Sequence, residues 1–160
     1  MPARDYVISF ESPVTGHASV RIPVWDDPTR SIEDDQEFLE WVRAKDVPAG
    51  VPSFLVLATE VQLLDRYFRE AWHCNASGKV SPSLPECREL QMGFIRKARN
   101  KALAGLDAPW MVAMENADQV LADQKAAQKQ NLRGIPQTFD LSGFKAARTI
   151  KEAWPENLER

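Results

Sequence analysis

The residues best suited to chemistry are few and widely spaced. His73, Cys74 and Cys87 are the side chains that most resemble metal ligands. A tetrahedral zinc site needs about four ligands at close spacing, such as paired C-x-x-C motifs, and these three do not form such a set. His17, beside Gly16 in a predicted turn, has no carboxylate or cysteine neighbour in sequence. We therefore expect no metal site, two structural or surface histidines, and two free thiols as in a reducing cytosol.

Motifs typical of enzymes are absent from the sequence. It contains no G-x-x-x-x-G-K-[ST] phosphate loop, no G-x-G-x-x-G, no G-x-S-x-G and no H-E-x-x-H. The run Glu33-Asp34-Asp35 places three carboxylates in the first turn of a predicted helix, where they point in different directions and complement the helix dipole. Because no base–nucleophile pair is evident, the sequence predicts a protein that is not an enzyme, with no catalytic residues and no cofactor.

One basic segment, Arg96-Lys97-Ala98-Arg99-Asn100-Lys101, is the candidate for nucleic-acid binding. No aromatic side chain lies among its four cations, and the whole chain has a formal net charge of −3. Stacking aromatics and an excess of positive charge are typical of nucleic-acid binders. We therefore favour a solvated or acid-paired helix face, and a nucleic-acid partner is not expected.

A second candidate for binding is the group formed by Trp110, Met111 and Met114. Tryptophan and methionine are enriched in adaptable protein-binding surfaces. The alternative is that these side chains form the core of a small helical lobe, which is at least as good an interpretation for Met111 and Met114. Trp110 stands next to Pro109 at a predicted helix start and is the better candidate for a partner contact.

The elements that must position these residues begin with a predicted β-hairpin. Tyr6–Glu11 is rich in β-branched and aromatic residues, and a turn follows it. Residues 18–25 then alternate, which predicts a half-buried strand with Val20, Ile22 and Val24 facing the core. Pro23 cannot donate to a ladder, so this strand is expected at a sheet edge.

The next elements complete a small α+β lobe. A helix is predicted from Ser31, with an acidic first turn and an apolar stripe at Phe38, Trp41 and Val42. A buried strand is predicted over 54–58, and a polar β-turn over 75–79. The intervening residues 61–72 suit either a helix or a strand.

The second half of the sequence is predicted to be helical. One helix is expected to run from Pro85 to Gly105, and Asp107 is expected to cap another. A polar helix over 119–133 is predicted to end at Gly134 and Pro136. A last helix is predicted over 142–154. The fold class is therefore α+β, with a small N-terminal β-sheet lobe carrying one or two helices (residues 1–84) followed by a helical lobe (residues 85–160).

Size and composition agree with this organisation. A chain of 160 residues is one domain or two small lobes, and 44% hydrophobic residues exclude wholesale disorder. No apolar run reaches the roughly 18 residues of a membrane span, and the N-terminus carries no apolar signal region. We expect an intracellular protein with no membrane partner.

Part of the C-terminal half resembles a known family. The runs IRKARNKALAGLDAPWM (95–111), KQNLRGIP (129–136) and AWP (153–155) are similar to segments of tailed-phage tail assembly chaperones of the tail-fibre assembly type. The resemblance covers about residues 88–158. Gly134 stands where such proteins usually carry Asp, which removes a carboxylate near a helix end. The N-terminal half, with its run VRIPVW (20–25), resembles the variable front half of these proteins.

The resemblance implies a non-enzymatic protein that binds a phage or prophage tail fibre and assists its folding or trimerisation. It would act in the host cytoplasm, and it could stay on the virion tail. The alternative is a permanent structural component of the tail, such as a fibre adaptor or baseplate subunit. A small DNA-binding regulator is a third interpretation, and the acidic N-terminal half argues against it.

The expected partner contact is the β lobe. Its strand over residues 18–25 offers an edge, with Arg21 beside it and Trp25 at its end as an apolar anchor, since interface hot spots favour Trp and Arg. The alternative for Trp25 is a place in the core. The C-terminal helices, including Trp110, are expected to form a scaffold or a self-association surface.

Overall fold

Two antiparallel sheets and five α-helices make up residues 2–160, the part of the chain that the computed structural model describes. The chain divides into two compact units, Met1–Ser83 and Leu84–Arg160. All five strands of the described residues lie in the first unit, and the second contains helices without strands, so the predicted α+β class, with a sheet lobe followed by a helical lobe, is confirmed. Within residues 2–160, no helix is long and apolar enough to cross a membrane.

The first unit is built around a central strand. β1 (Tyr6–Glu11) pairs antiparallel with β2 (Ala18–Arg21) on one side and with β3 (Ser53–Leu57) on the other. Successive side chains of a strand point to opposite faces. Accordingly, Val7 packs into one apolar cluster and Ile8 into another. β2 is an edge strand, as Pro23 predicted.

A helix covers one face of this sheet and a second hairpin covers the other. α1 (Asp35–Asp46) packs Phe38, Leu39 and Val42 against Ile8. On the opposite face, α2 (Ala58–Gln62) and the hairpin of β4 (Trp72–Cys74) and β5 (Val80–Pro82) pack against Val7. The segment that was ambiguous in sequence becomes α2 and a 3-10 helix, Arg66–Ala71. The polar turn forms where it was predicted, between β4 and β5.

Two predictions for the first unit are corrected by the structure. The second strand ends at Arg21, not at residue 25, because Pro23 has no N–H to continue the ladder. Ile22 and Val24 were predicted to face the core with Val20. Only Val20 packs against the core, whereas Ile22 and Val24 are 54% and 65% exposed. Helix α1 begins at Asp35 and not at Ser31, and the Asp34 carboxylate caps it by accepting from the N–H of Glu37 at 2.8 Å.

The second unit is a helical hairpin closed by its C-terminal tail. α3 (Leu84–Glu115) and α4 (Gln119–Thr138) are joined by three residues, and Asp118 caps α4. A short helix, α5 (Ala147–Glu152), follows. The core joins Ile95 of α3, Leu132 and Ile135 of α4, and Leu158 of the tail.

The predicted helix ends in this unit are wrong at three places. α3 continues through Gly105 and Pro109, so Asp107 caps no helix, and its carboxylate instead pairs with Lys129 at 2.7 Å. α4 continues through Gly134 and Pro136 to Thr138. The last helix is confined to α5. Glycine and proline weaken a helix interior by about 1 and 3 kcal/mol, and the packing of α3 against α4 offsets these costs.

Candidate partner-binding surface

An exposed apolar segment continues from the edge strand of the first unit. Beyond Arg21 the chain leaves the ladder, and Ile22, Pro23 and Val24 run on without strand pairing. Pro23 turns inward and is buried, so its two neighbours both face solvent. Two exposed aliphatic side chains at i and i+2 beside an open sheet edge form a surface suited to an extended, apolar partner segment.

The loop after this segment is fixed by Arg30. Its guanidinium donates to the backbone carbonyls of Trp25 at 3.2 Å and Glu33 at 2.8 Å, and its Nε donates to the carbonyl of Ile32. It also pairs with Asp35 at 2.8 Å and lies 4.4 Å from the ring centroid of Phe38. A single, largely buried cation therefore holds three carbonyls of the loop, and the exposed segment is attached to a rigid support.

Helix α1 contributes the aromatic part of the surface. Trp41 stacks on Phe38, with centroids 5.7 Å apart and ring planes 18° from parallel, yet it is 45% exposed. The ammonium of Lys45 lies 4.7 Å from the Trp41 ring centroid. Trp41 therefore offers apolar area that its own unit covers only in part.

A shallow groove of about 320 Å³ brings these parts together. Its lining includes Ile22, Val24, Trp41 and Lys45. We call the three exposed apolar residues, Ile22, Val24 and Trp41, the edge patch. Asp27 and Asp46 also line the groove, so its lining carries both signs of charge beside the exposed apolar side chains. Exposed apolar side chains mixed with charged groups suit binding of a protein segment.

Arg21 and Trp25, the two contact residues predicted for this unit, lie next to the edge patch. Both are less exposed than expected. The Arg21 guanidinium lies over the Phe10 ring at 5.7 Å and is half-buried. Trp25 is also half-buried: its ring meets Phe38 edge-on at 5.7 Å, and Arg4 approaches it at 5.9 Å. Trp25 is thus a member of the cluster under α1 as well as a neighbour of the patch.

The third predicted contact residue belongs to the second unit. Trp110 lies in the interior of α3, not at a helix start, and is half-buried beneath the Lys129 ammonium at 4.8 Å. Met111 and Met114, in contrast, are 54% and 49% exposed, so they are not the core of the helical lobe. The basic segment of α3 is solvated: among residues 2–160, no carboxylate pairs with Arg96, Lys97 or Lys101.

The cysteine and histidine side chains are all buried or half-buried. Cys74 and Cys87 are free thiols, and burial raises the pKa of each. A raised thiol pKa leaves little thiolate near neutral pH, so neither is an activated nucleophile. His17 and His73 meet edge-on, with ring centroids 5.4 Å apart. Sequence reasoning missed this pair, because 55 intervening residues hide a contact that only the sheet topology creates.

Sequence reasoning also missed the edge patch. The alternation of Val20, Ile22 and Val24 predicts one buried face only if the strand continues through Pro23. The signal that could have found the patch was Pro23 itself: a proline that ends the ladder lets the chain rotate, and the residues beyond it no longer follow the alternation. Comparisons with known proteins add no family, since no family model, no curated protein and no solved structure matches this chain.

Proposed function

We propose that this protein is a non-enzymatic tail-fibre assembly chaperone of a phage or prophage, which binds the fibre and assists its folding or trimerisation. The proposal is supported by the resemblance of residues 88–158 to that family. The observation that carries it is the edge patch, an exposed apolar surface that continues from an open strand edge. Exposed aliphatic and aromatic side chains beside an unpaired strand edge suit the binding of an extended protein segment.

The chemistry of an unassembled fibre fits this surface. A β-rich fibre made of three chains exposes unpaired strand edges and apolar side chains before its chains close. An extended fibre segment could pair with β2 through main-chain hydrogen bonds and place alternate apolar side chains against Ile22, Val24 and Trp41. No nucleotide is required, since burial of the fibre's own apolar surface drives its folding.

The alternative, a permanent structural component of the tail, predicts the same contact with a different lifetime. Quantitative mass spectrometry of purified virions separates the two. A chaperone that acts in the host cytoplasm is absent or substoichiometric in virions, whereas an adaptor or baseplate subunit occurs in a fixed ratio to the fibre.

The binding test is co-expression with a tail-fibre protein encoded in the same genomic neighbourhood, followed by pull-down and a fibre solubility assay. Ile22→Asp and Val24→Asp place a carboxylate in the edge patch, and Val14→Asp is the matched control because Val14 is 90% exposed in the loop at the other end of β2. Loss of a hot-spot contact costs about 2 kcal/mol, roughly thirtyfold in affinity. We expect that loss for the patch variants and none for the control.

Variants of Trp25 alone do not show whether the edge patch is the contact with the fibre. Because the Trp25 ring packs on Phe38 and lies beside the guanidinium groups of Arg4 and Arg30, Trp25→Ala is expected to lower the melting temperature as well as any fibre binding. Arg21→Ala is the gentler probe of the same edge. If Ile22→Asp, Val24→Asp and Arg21→Ala all fold and capture fibre as well as the wild type, the edge patch is not the contact. If the wild type captures no fibre, the proposed function is wrong.

A further inference from the structure

The outward face of α3 carries exposed side chains at a regular spacing. Their separations alternate between four and three residues, which is the spacing of the a and d positions by which helices pair along their length. The six are Lys97, Lys101, Ala104, Ala108, Met111 and Glu115, and all are exposed. At 100° per residue they lie opposite Ile95 and Ala113, the buried side of α3. We call them the outer stripe.

The two ends of the outer stripe carry opposite charges. Lys97 and Lys101 stand at its N-terminal end, Glu115 at its C-terminal end, and none of them makes an ion pair among residues 2–160. The surrounding sequence has the same polarity: every charged residue over 90–106 is basic, and every charged residue over 107–124 is acidic. A helix face with this pattern is complementary to itself when it is reversed.

We propose that α3 pairs with α3 of a second copy of this chain, antiparallel, along the outer stripe. The stripe is symmetric about residue 106. In that register Lys97 stands opposite Glu115 of the second copy, and Ala104 stands opposite Ala108. Lys101 stands opposite Met111, where its aliphatic stem can cover the thioether while the ammonium remains in water.

The charges select the antiparallel orientation over the parallel one. A parallel pair would place Lys97 beside Lys97 and Glu115 beside Glu115, and both contacts repel. The small side chains of Ala104 and Ala108 let the two helix axes approach closely at the centre. α3 continues through Gly105 and Pro109, so the stripe is continuous over the 19 residues from Lys97 to Glu115, about 27 Å from end to end at 1.5 Å per residue.

This pairing is independent of fibre binding, because it uses the second unit alone. Its centre is apolar but small, so the interface belongs at the low end of protein interfaces and the dimer should dissociate on dilution. Its charge pairs lie at the two ends, near solvent, so added salt should weaken it.

Sedimentation of the full chain over a wide concentration range tests the pairing. We expect a reversible monomer–dimer equilibrium for the wild type. Ala104→Glu places two carboxylates, one from each copy, near the centre of the interface. It is expected to weaken the dimer by about tenfold or more. Ala126→Glu, the same change on an exposed position of α4, should dimerise like the wild type. A wild type that stays monomeric near 1 mM, or an Ala104→Glu variant that dimerises equally well, overturns the proposal.

Charge reversal tests the orientation. Lys97→Glu and Glu115→Lys should each weaken the dimer, and the double variant should recover it because the two charges are again opposite across the antiparallel pair. Carbodiimide should also cross-link Lys97 to Glu115 between copies, since the two are about 27 Å apart within one helix. A double variant that dimerises no better than the single variants, with no such cross-link, overturns the antiparallel pairing.

Discussion

Gly78 in the first unit and Gly134 in the second occupy opposite kinds of position. Gly78 has φ +80° in the turn between β4 and β5, and a Cβ there would lie 2.1 Å from the Cβ of Phe54. Gly134 lies inside α4, and apart from its two chain neighbours and the backbone of its own helix no heavy atom lies within 4 Å of the place its Cβ would take. The first glycine is required by the local backbone and by its neighbour, whereas the second is required by nothing in its surroundings.

The same contrast extends to the prolines, and it shows what decides local structure in each unit. In the first unit Pro23 ends a strand, because a strand of four residues has few contacts to offset a lost ladder bond. In the second unit Pro109 and Pro136 lie within helices of 32 and 20 residues. The packing of a long helix contributes enough free energy to offset the cost of a proline that would end a shorter element.

The largest expected effect is that of Gly78→Ala. The backbone at this turn is in the left-handed region, and the new methyl group would collide with Phe54, so the free energy of unfolding should fall by about 4 kcal/mol or more. Denaturant unfolding followed by circular dichroism measures it.

Gly134→Ala is the matched variant in the helical unit. It should raise the stability by about 0.5–1 kcal/mol, because alanine is the better helix former and has room here. If both substitutions destabilise the protein to a similar extent, the contrast between the two units is wrong.

The two units also differ in how much of their structure the sequence predicts. The reason is the one given for the prolines: short elements depend on local residues, whereas long helices depend on packing. The strand Tyr6–Glu11 and the turn between β4 and β5 are predicted correctly, since periodicity and turn residues act locally there. The strand predicted over 54–58 forms one residue earlier, at Ser53–Leu57, and only Val56 in it is fully buried. The starts of α3 and α4 are predicted to within one residue, whereas their C-terminal ends are predicted wrongly. Their lengths depend on contacts between residues far apart in sequence, such as Ile95 with Ile135, which a local pattern does not contain.

An intermediate effect is expected at the two buried polar side chains among residues 2–160, Ser9 and Gln91. The Gln91 amide donates to the carbonyls of Ala153 at 2.8 Å and Lys151 at 3.3 Å, which fastens the end of α5 to α3. Gln91→Met keeps the volume but leaves the Ala153 carbonyl without this donor, and should cost about 2 kcal/mol.

Ser9 is the counterpart in the first unit and should matter less. Its hydroxyl donates to the Gly78 carbonyl at 2.7 Å and also hydrogen-bonds with the weakly polar Cys74 thiol, so Ser9→Ala should cost about 1 kcal/mol. The denaturation midpoints of the two variants measure the difference. If Ser9→Ala lowers the free energy of unfolding as much as Gln91→Met does, the expectation that Ser9 matters less than Gln91 is wrong.

The candidate surface was predictable only in outline. The sequence indicates an edge strand near Arg21 and Trp25, and β2 is indeed at the edge of its sheet. It does not reveal that Trp41 remains exposed, because a residue three after a buried Phe38 suits the core face of a helix equally well. Whether such a residue is covered depends on what packs beside α1, here the loop that Arg30 holds.

The smallest expected effect is a pH dependence in that loop. Hydrogen bonds from Arg4 and Arg30 hold the pKa of the Asp35 carboxyl below its usual range. In the second unit, the pKa of Asp140 is also lowered, but by the backbone N–H and hydroxyl of Ser142. A carboxyl whose pKa is lower in the folded state stabilises the protein above its unfolded pKa, about 4, and this contribution is lost as the pH falls through the folded pKa.

Asp35→Asn and Asp140→Asn should therefore both reduce stability at pH 7, and both deficits should shrink at pH 3. Added salt distinguishes the two units. The Asp35 carboxylate pairs with a half-exposed Arg4 guanidinium at 2.7 Å and with the largely buried Arg30 guanidinium at 2.8 Å, so 1 M NaCl, which screens the Arg4 pair, should reduce the Asp35→Asn deficit. The Asp140 carboxylate accepts its hydrogen bonds from the uncharged Ser142, and the charge of Arg88 lowers its pKa by less than these bonds do, so its deficit should change less than that of Asp35→Asn. Melting temperatures of the wild type and both variants at two pH values and two salt concentrations provide the measurement, and equal salt dependence of the two deficits would contradict the assignment of the Asp35 shift to its arginine partners.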